Sequence, residues 1–136
     1  SRDIPVFPGL MVSDEMTEDF GYQSTRSMLN DVNPPTAFLV SSMITAIGVR
    51  RAIVDAGMKM GQEVSVVIHD DELSYLRNGA EIPIFTAARS SVRQAGRACA
   101  KMLLENIEKK PAQPQHLLLE SEITIGESTG PAPVVS

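Results

Sequence analysis

The sequence has 136 residues, a length that fits one domain with a substantial hydrophobic core. Hydrophobic residues make up 43% of it and charged residues 21%, as in ordinary soluble globular proteins. The net charge of −5 argues against a surface that grips a nucleic-acid backbone, because such a surface needs clustered Lys and Arg. A single cysteine, Cys99, excludes an internal disulfide and any multi-cysteine zinc site.

Neither a membrane span nor a signal peptide is predicted. No apolar run approaches the roughly 18 residues that a membrane-spanning helix needs. The opening "SRDIPVFPG" has neither the basic nor the apolar region of a signal peptide. It lacks an initiator Met and reaches a short apolar run at once, which is the pattern of a chain that begins within a fold.

The predicted elements begin with a short β-like piece at 4–7 and a helix. Thr17 is the predicted N-cap of this helix, since its hydroxyl accepts from a free N–H one turn on. The helix runs to about Leu29 and cannot continue through the proline pair at 34–35.

Strands and helices then alternate along the chain. Apolar runs predict strands, and helical spacing of apolar residues predicts the segments between them. The predicted strands are 36–42, 63–70, 82–88 and 117–125, and the predicted helices are 43–57, 72–79 and 91–109. The run at 36–42 is typical of a parallel strand covered on both faces, and residues 126–136 read as a frayed tail.

This alternation predicts βαβ units and a mostly parallel sheet, hence an α/β fold. In open α/β sheets the ligand crevice lies at the carboxyl ends of the strands. The residues to search are therefore Ser41–Met43, His69–Asp71 and Ala87–Ser90.

Two adjacent carboxylates, Asp70 and Asp71, end the strand "VSVVIHD". Their oxygen atoms are suitable ligands for Mg²⁺, but a magnesium site usually also needs a third acidic ligand. The neighbouring strand ends "LVSSM" and "TAARS" supply only hydroxyl groups, which argues against a magnesium site. Asp71 fits the N-cap of the next helix. Asp70 remains as the group to face a ligand, where a carboxylate accepts from sugar hydroxyls or purine N–H groups.

The other reactive side chains have simpler interpretations. His69 ends a strand without an identifiable nucleophile and is interpreted as a hydrogen-bonding or packing residue. Cys99 lies on the apolar face of its helix and is expected to be a buried, inert thiol. Arg50 and Arg51 form a solvated helix face or a subunit interface.

The chain resembles the effector-binding domain of LacI/GalR-family transcriptional regulators over nearly its whole length. The stretch "PTAFLVSSMITAIGVRRAIVDAGMKMGQEVSVVIHDDELSYL" is similar to that family's P-T-A-x-x-x-x-N-D-x-x-A-x-G pattern followed by V-S-V-x-G-Y-D-D. "SDEMTEDFGYQSTRSML" precedes it as the family's G-D and G-Y segment does. "IPIFTAARSSVRQAGRACAKMLLENIE" and "GESTGPAP" match the family's P-P-L-T-T-V-x-Q helix and its R-E-S-T ending.

The resemblance implies one lobe of a periplasmic-binding-protein-like clamshell, a three-layer parallel sheet flanked by helices and truncated. Residues 1–136 are then the C-terminal portion of the effector-binding and dimerisation domain. Helix 91–109 is the crossover helix that normally packs in the other lobe. The helix-turn-helix that binds operator DNA is absent from this chain. A cytoplasmic, dimeric regulator without a cofactor or enzymatic activity is expected.

The resemblance also places the site residues. Asp70 falls on the first carboxylate of the family's Y-D-D, which hydrogen-bonds the effector. The residues expected at the effector are Asp70, Ser42, Met16, His69 and Ser90. Those expected at the dimer interface are Tyr22, Ile47, Arg50, Arg51 and Asp55.

Several of these residues depart from the family pattern. Ser42 and Met43 stand where the family has N-D, and Met16 stands where it often has an aromatic residue. Ser90 replaces the usual Gln, and His69 replaces the usual Tyr. The pocket is thus expected to be less polar and less aromatic, with an unusual effector, such as a modified sugar or a small acid, or a degenerated site.

The expected function is effector sensing and dimerisation in a LacI-type repressor that binds a sugar or sugar-like molecule. Two alternatives stay open. One is a periplasmic-type sugar-binding protein of the same fold. The other is a Mg²⁺-dependent α/β enzyme that uses Asp70 and Asp71.

Overall fold

The structure is a computed structural model that describes residues 5–70, 76–109 and 114–132. Its four-stranded sheet has the order β1-β2-β3-β4, in which the first three strands are parallel and β4 is antiparallel to β3. The strands are β1 (Ala37–Val40), β2 (Ser65–Asp70), β3 (Thr86–Arg89) and β4 (Glu122–Thr124). The helices are α1 (Glu18–Leu29), α2 (Met43–Asp55) and α3 (Val92–Lys109), after a short 3-10 helix at Pro8–Leu10. The predicted α/β fold with a mostly parallel sheet is confirmed.

Helices α1 and α2 each begin at a hydroxyl cap. The Thr17 hydroxyl accepts from the Phe20 N–H at 3.1 Å, as predicted for α1. The Ser42 hydroxyl accepts from the Thr45 N–H at the start of α2. Gly57, at φ +73°, follows the end of α2 in the left-handed region that glycine adopts without strain.

Helices α1 and α2 cross at two glycines. A Cβ added to Gly21 would lie 2.1 Å from the Thr45 carbonyl oxygen, and one added to Gly48 would lie 1.9 Å from that of Glu18. No side chain fits at either position, so the two backbones meet at a distance that only glycine permits. This contact holds α1 against α2, and α2 in turn packs on β1 and β2.

The hydrophobic core lies between α2 and one face of the sheet. Alternation along β2 directs Val66, Ile68 and Asp70 into this layer, and all three are buried. The buried apolar core residues are Val40, Met43, Ala46, Val49, Ile53, Val64, Val66, Ile68, Phe85 and Ala87.

The opposite face of the sheet is open. Register and alternation place Leu39, Val67 and Ile123 on that face, where Leu39 is 86% exposed and Ile123 73% exposed. The expectation that strand 36–42 is covered on both faces is therefore wrong for the described residues, since α2 packs on the other face.

Helix α3 follows the predicted bounds but buries none of its residues. Leu103, Leu104 and Ile107 are exposed on it. Cys99 is exposed as well, so the expectation of a buried thiol is wrong. Its helical face is apolar, but no described strand or helix packs closely enough on it to bury a residue.

The segment after β4 is ordered rather than frayed. Ser128 is fully buried, and its hydroxyl donates to the Val66 carbonyl while accepting from the Thr86 N–H. The Ser128 carbonyl also accepts from the Val66 N–H. The prediction of a frayed tail is thus wrong for residues 126–132, because this segment links β2 to β3 at their amino-terminal ends.

Several predicted boundaries are also wrong. Residues 5–7 form no strand, and β4 is confined to three residues. Residues 82–85 stay out of β3 because the Asn78 side chain bonds both the N–H and the carbonyl of Phe85, each at 2.8 Å. Residues 76–79 are not helical, and the rest of the predicted helix at 72–79 lies outside the described residues, as does Asp71.

Candidate functional site

The three parallel strands end at one edge of the sheet, and two of them end on charged residues. β2 ends at Asp70 and β3 at Arg89, and the register pairs these two residues. Because paired residues of neighbouring strands project from the same face, both side chains enter the layer that contains α2. In open α/β sheets this edge is where ligands generally bind, which makes it the candidate site.

Asp70 is the most deeply buried of the expected site residues. It is 8% exposed, and its Oδ2 lies 3.8 Å from Nε of Arg89. The backbone carbonyl of Asp70 accepts from the Ser90 N–H at 3.2 Å, which fixes the end of β2 against β3. A buried carboxylate is costly without a compensating charge, and the guanidinium supplies one.

Arg89 lies within the strand end Ala87–Ser90 but was not predicted as a site residue. The local sequence "TAARS" indicates hydroxyl groups at this strand end and does not by itself assign its arginine to the site. Arg89 is identified as a site residue by its pairing with Asp70 across β2 and β3. This pairing depends on how the two strands align in the fold, which the local sequence does not show.

A cavity of about 310 Å³ opens beside the Asp70–Arg89 pair. This volume is at the lower end of the roughly 300–1,000 Å³ that is typical of small-molecule sites. Asn78 holds one wall through its two bonds to Phe85, and Gly79 makes the turn at φ +83°. The described residues that line the cavity are Asp70, Leu76, Arg77, Asn78, Gly79, Ala80, Pro83, Arg89 and Thr124.

Two more of the expected effector residues meet each other. His69 Nε2 and Ser90 Oγ are 2.8 Å apart, so the two side chains share a hydrogen bond whose donor depends on the histidine tautomer. His69 precedes Asp70 on β2 and therefore projects from the opposite face of the sheet. Neither residue is among those that line the cavity beside Asp70.

The remaining two expected effector residues are placed differently. Ser42 caps α2, and its hydroxyl also donates to the Thr45 hydroxyl at 2.9 Å. Ser therefore keeps a capping role at the position where the family pattern has Asn. Met16 lies just before α1 and is 62% exposed. The structure does not bring these two side chains into the cavity beside Asp70.

The residues expected at a dimer interface lie along α1 and α2. Tyr22 donates to Asp55 at 3.0 Å, and the Arg51 guanidinium stacks 3.9 Å from the centre of the Tyr22 ring. Arg51 also pairs with Glu18 at 2.8 Å. These contacts join α1 to α2 within one chain.

The other two expected interface residues, Ile47 and Arg50, are exposed on α2. They border a mostly apolar groove between α2 and the segment that precedes β3. The described residues that line this groove are Met43, Ile47, Arg50, Arg51, Val54, Leu76, Arg77, Ile84 and Phe85.

Neither a metal cluster nor a membrane span is found in the described ranges. No group of three or more His, Cys, Asp or Glu residues there could hold a metal ion. Among the same residues, no helix has the length and apolar character to cross a bilayer.

Residues 6–129 match the family model for the periplasmic binding protein-like domain. The HTH-type transcriptional regulator AglR of Rhizobium meliloti (strain 1021) is 40% identical over 87% of this chain and 33% of its own length. The chain spans about a third of the length of the curated relatives that it matches.

Solved structures agree with this match. The lac repressor dimer bound to operator and the anti-inducer ONPF is 29% identical, with a TM-score of 0.72 over 85% of this chain and 39% of that one. The complex of the transcriptional regulator CelR with cellobiose is 26% identical, with a TM-score of 0.69 over 87% of this chain and 37% of that one. The chain therefore belongs to the family of periplasmic binding protein-like domains, in the form that LacI-type transcriptional regulators carry.

Proposed function

We propose that this chain is the effector-sensing and dimerisation part of a cytoplasmic LacI-type repressor, and that its effector is a sugar or a sugar-like molecule. The observation that carries the proposal is the buried Asp70 carboxylate, which borders a cavity at the carboxyl edge of the sheet. A carboxylate there accepts hydrogen bonds from sugar hydroxyls. Two similar regulators are named with small molecules bound, one of them the sugar cellobiose.

The domain assignment is part of the proposal. The chain is the C-terminal portion of the effector domain, and α3 is the crossover helix that packs in the second lobe of the intact regulator. The absence of buried residues on α3 in the described structure supports this assignment. Operator DNA is then bound by a separate helix-turn-helix. Effector binding shifts the equilibrium between two arrangements of the lobes and thereby changes operator affinity.

Dimerisation is proposed through the groove beside Ile47 on α2. The groove combines exposed apolar side chains with three arginines, a composition typical of interfaces. The contacts among Tyr22, Arg51 and Asp55 hold α1 and α2 in the shape that presents this surface. The similar lac repressor is named as a dimer.

A thermal-shift screen tests the effector proposal in the full-length regulator. The panel contains neutral sugars, sugar acids, nucleobases and Mg²⁺, each applied to wild type and to Asp70→Asn. A sugar at 100 times its Kd stabilises the native state by about 2.7 kcal/mol, which raises the Tm of wild type. The rise is expected to be lost in Asp70→Asn.

Asp19→Asn is the matched control, since it removes an exposed carboxylate from α1. It should keep the wild-type response to every compound. A panel in which Mg²⁺ alone raises the Tm, through Asp70, would favour the metal-dependent enzyme instead. A sugar that stabilises Asp70→Asn as strongly as wild type would remove Asp70 from the site.

A further inference from the structure

The residue that the structure adds to the site is Arg89. It lines the same cavity as Asp70, and 39% of its side-chain surface is exposed. Building on the function proposed above, we propose that Arg89 is a second effector-binding residue. Asp70 and Arg89 together then bind neighbouring hydroxyl groups of a neutral sugar.

The charges of the pair favour a neutral ligand. Asp70 is nine-tenths buried, and its charge is compensated by the Arg89 guanidinium. A neutral sugar leaves that compensation intact when it binds. A sugar acid would place a second anionic group beside a buried carboxylate, and like charges at short range repel each other. The repulsion of an acid arises at the buried Asp70, whereas Arg77, which also lines the cavity, is exposed and so screened by solvent. A neutral sugar is therefore expected to bind more tightly than its acid.

The geometry of the pair suits a hydroxyl group. Arg89 Nε lies 3.8 Å from Asp70 Oδ2 and is itself buried, so a ligand in the cavity contacts the exposed remainder of the guanidinium. A sugar hydroxyl both donates and accepts, so one hydroxyl can donate to the carboxylate while it accepts from the guanidinium. A neighbouring hydroxyl on the same ring can then reach the second group of the pair. The arginine thus donates hydrogen bonds to the diol, and the carboxylate accepts hydrogen bonds from it.

The cavity supplies a hydrogen-bonded frame for this contact. Asn78 is fixed on one side by its two bonds to the Phe85 backbone. Thr124, on β4, contributes a hydroxyl to the lining. On the strand side, the ladder between β2 and β3 sets the separation of Asp70 and Arg89. Such a frame holds the polar groups in place before the sugar arrives, which lowers the entropic cost of binding.

The test is isothermal titration calorimetry on the full-length regulator. The probes are cellobiose, maltose, sucrose, ribose and galactose as neutral sugars, and glucuronate as an acid. Variants are Asp70→Asn, Arg89→Gln and Arg89→Lys, with Arg93→Gln on the exposed first turn of α3 as the matched control. Losing one charge-assisted hydrogen bond weakens binding by about tenfold or more. We expect that loss in Asp70→Asn and in Arg89→Gln, a smaller one in Arg89→Lys, and none in Arg93→Gln.

Deoxy analogues distinguish a direct contact between Arg89 and the sugar from an indirect effect in which Arg89 only positions Asp70. For the neutral sugar that binds, each singly deoxygenated derivative is titrated into wild type and Arg89→Gln. If Arg89 contacts the sugar directly, one derivative should bind wild type about tenfold more weakly than the parent sugar does. The same derivative and the parent sugar should bind Arg89→Gln with equal affinity. A residue that only braces Asp70 would keep the same preference between parent and derivative.

The remaining outcomes are distinguishable. If wild type and Arg89→Gln bind the same neutral sugar equally while Asp70→Asn loses it, Arg89 is not a binding residue, and the proposed function stands. If glucuronate alone binds, the neutral ligand class is wrong, and small-molecule sensing stands. If wild type binds none of the probes and no other sugar, the proposed function fails and this inference fails with it.

Discussion

Helices α2 and α3 each follow a parallel strand of the same sheet, but they differ in what they bury. α2 buries Met43, Thr45, Ala46, Gly48, Val49, Ala52 and Ile53 among its 13 residues, whereas the 18 residues of α3 bury none. α3 nevertheless separates its apolar from its charged residues more sharply than α2 does. An amphipathic pattern therefore predicts that a helix packs against an apolar surface. It does not predict whether that surface belongs to the same lobe.

The largest expected effect is the loss of a core side chain from α2. Ile53 is fully buried, and truncation to alanine removes apolar contacts and leaves a cavity. We expect Ile53→Ala to lower the free energy of unfolding by about 2–5 kcal/mol in urea denaturation. Ile107→Ala, the same change on α3 at an exposed site, should alter it by less than about 0.5 kcal/mol. Equal losses at the two sites would show that α3 is packed within this chain.

A second pair of changes adds a methyl group instead of removing one. The Cβ of Gly48→Ala would clash with the backbone of α1, so the helices must move apart, and a loss of about 1–3 kcal/mol is expected. Gly96→Ala on α3 meets nothing within 4 Å and replaces a poor helix former. It should leave stability unchanged or raise it by up to about 1 kcal/mol. Helical content and urea midpoints check both variants, and a tolerated Gly48→Ala would contradict the close crossing.

An effect of similar size is expected where the C-terminal segment joins the sheet. Ser128→Ala leaves the Val66 carbonyl and the Thr86 N–H without their hydroxyl partner in a buried place. Unsatisfied buried groups of this kind cost about 1–3 kcal/mol. The exposed Ser27→Ala on α1 is the control and should stay within about 0.5 kcal/mol of wild type. If the two serine variants unfold at the same urea concentration, the segment does not link β2 to β3 as described.

Local sequence signals predicted much of the fold. The Thr17 cap, the end of α1 at Leu29 and the end of β2 at Asp70 all follow from capping, proline placement and apolar runs. Each of these signals acts within one turn or one strand. The mostly parallel pairing of the strands was predicted from the alternation of strands and helices along the chain.

What the sequence did not predict depends on contacts between distant segments. The local sequence around Ser128 indicates a polar tail. Ser128 is a buried donor and acceptor only because β2 and β3 place the Val66 carbonyl and the Thr86 N–H on either side of its hydroxyl. The segment 82–85 has the composition of a strand, but Asn78 occupies the hydrogen-bonding groups of Phe85. Arg89 became a site residue only through its register with Asp70.

The dimer groove and the crossover role of α3 are proposals of a different kind, since they concern surfaces that the described chain leaves exposed. The contrast between α2 and α3 supports the second of them. Amide hydrogen exchange compares the two directly: α3 should exchange quickly in the 136-residue chain and slowly in the full-length regulator, whereas α2 should be protected in both. Rapid exchange of α3 in the full-length regulator would remove the second lobe as its partner.

The central claim is that this domain senses a small molecule on behalf of a DNA-binding regulator, and release of bound DNA tests it most directly. Genomic fragments retained by the full-length protein are identified by sequencing, and the sugar that raises its Tm is then added. We predict that wild type binds discrete fragments, that the sugar changes this binding, and that Asp70→Asn still binds the fragments without responding to the sugar. Fragment binding that is indifferent to every stabilising ligand, or no specific binding at all, would contradict the account.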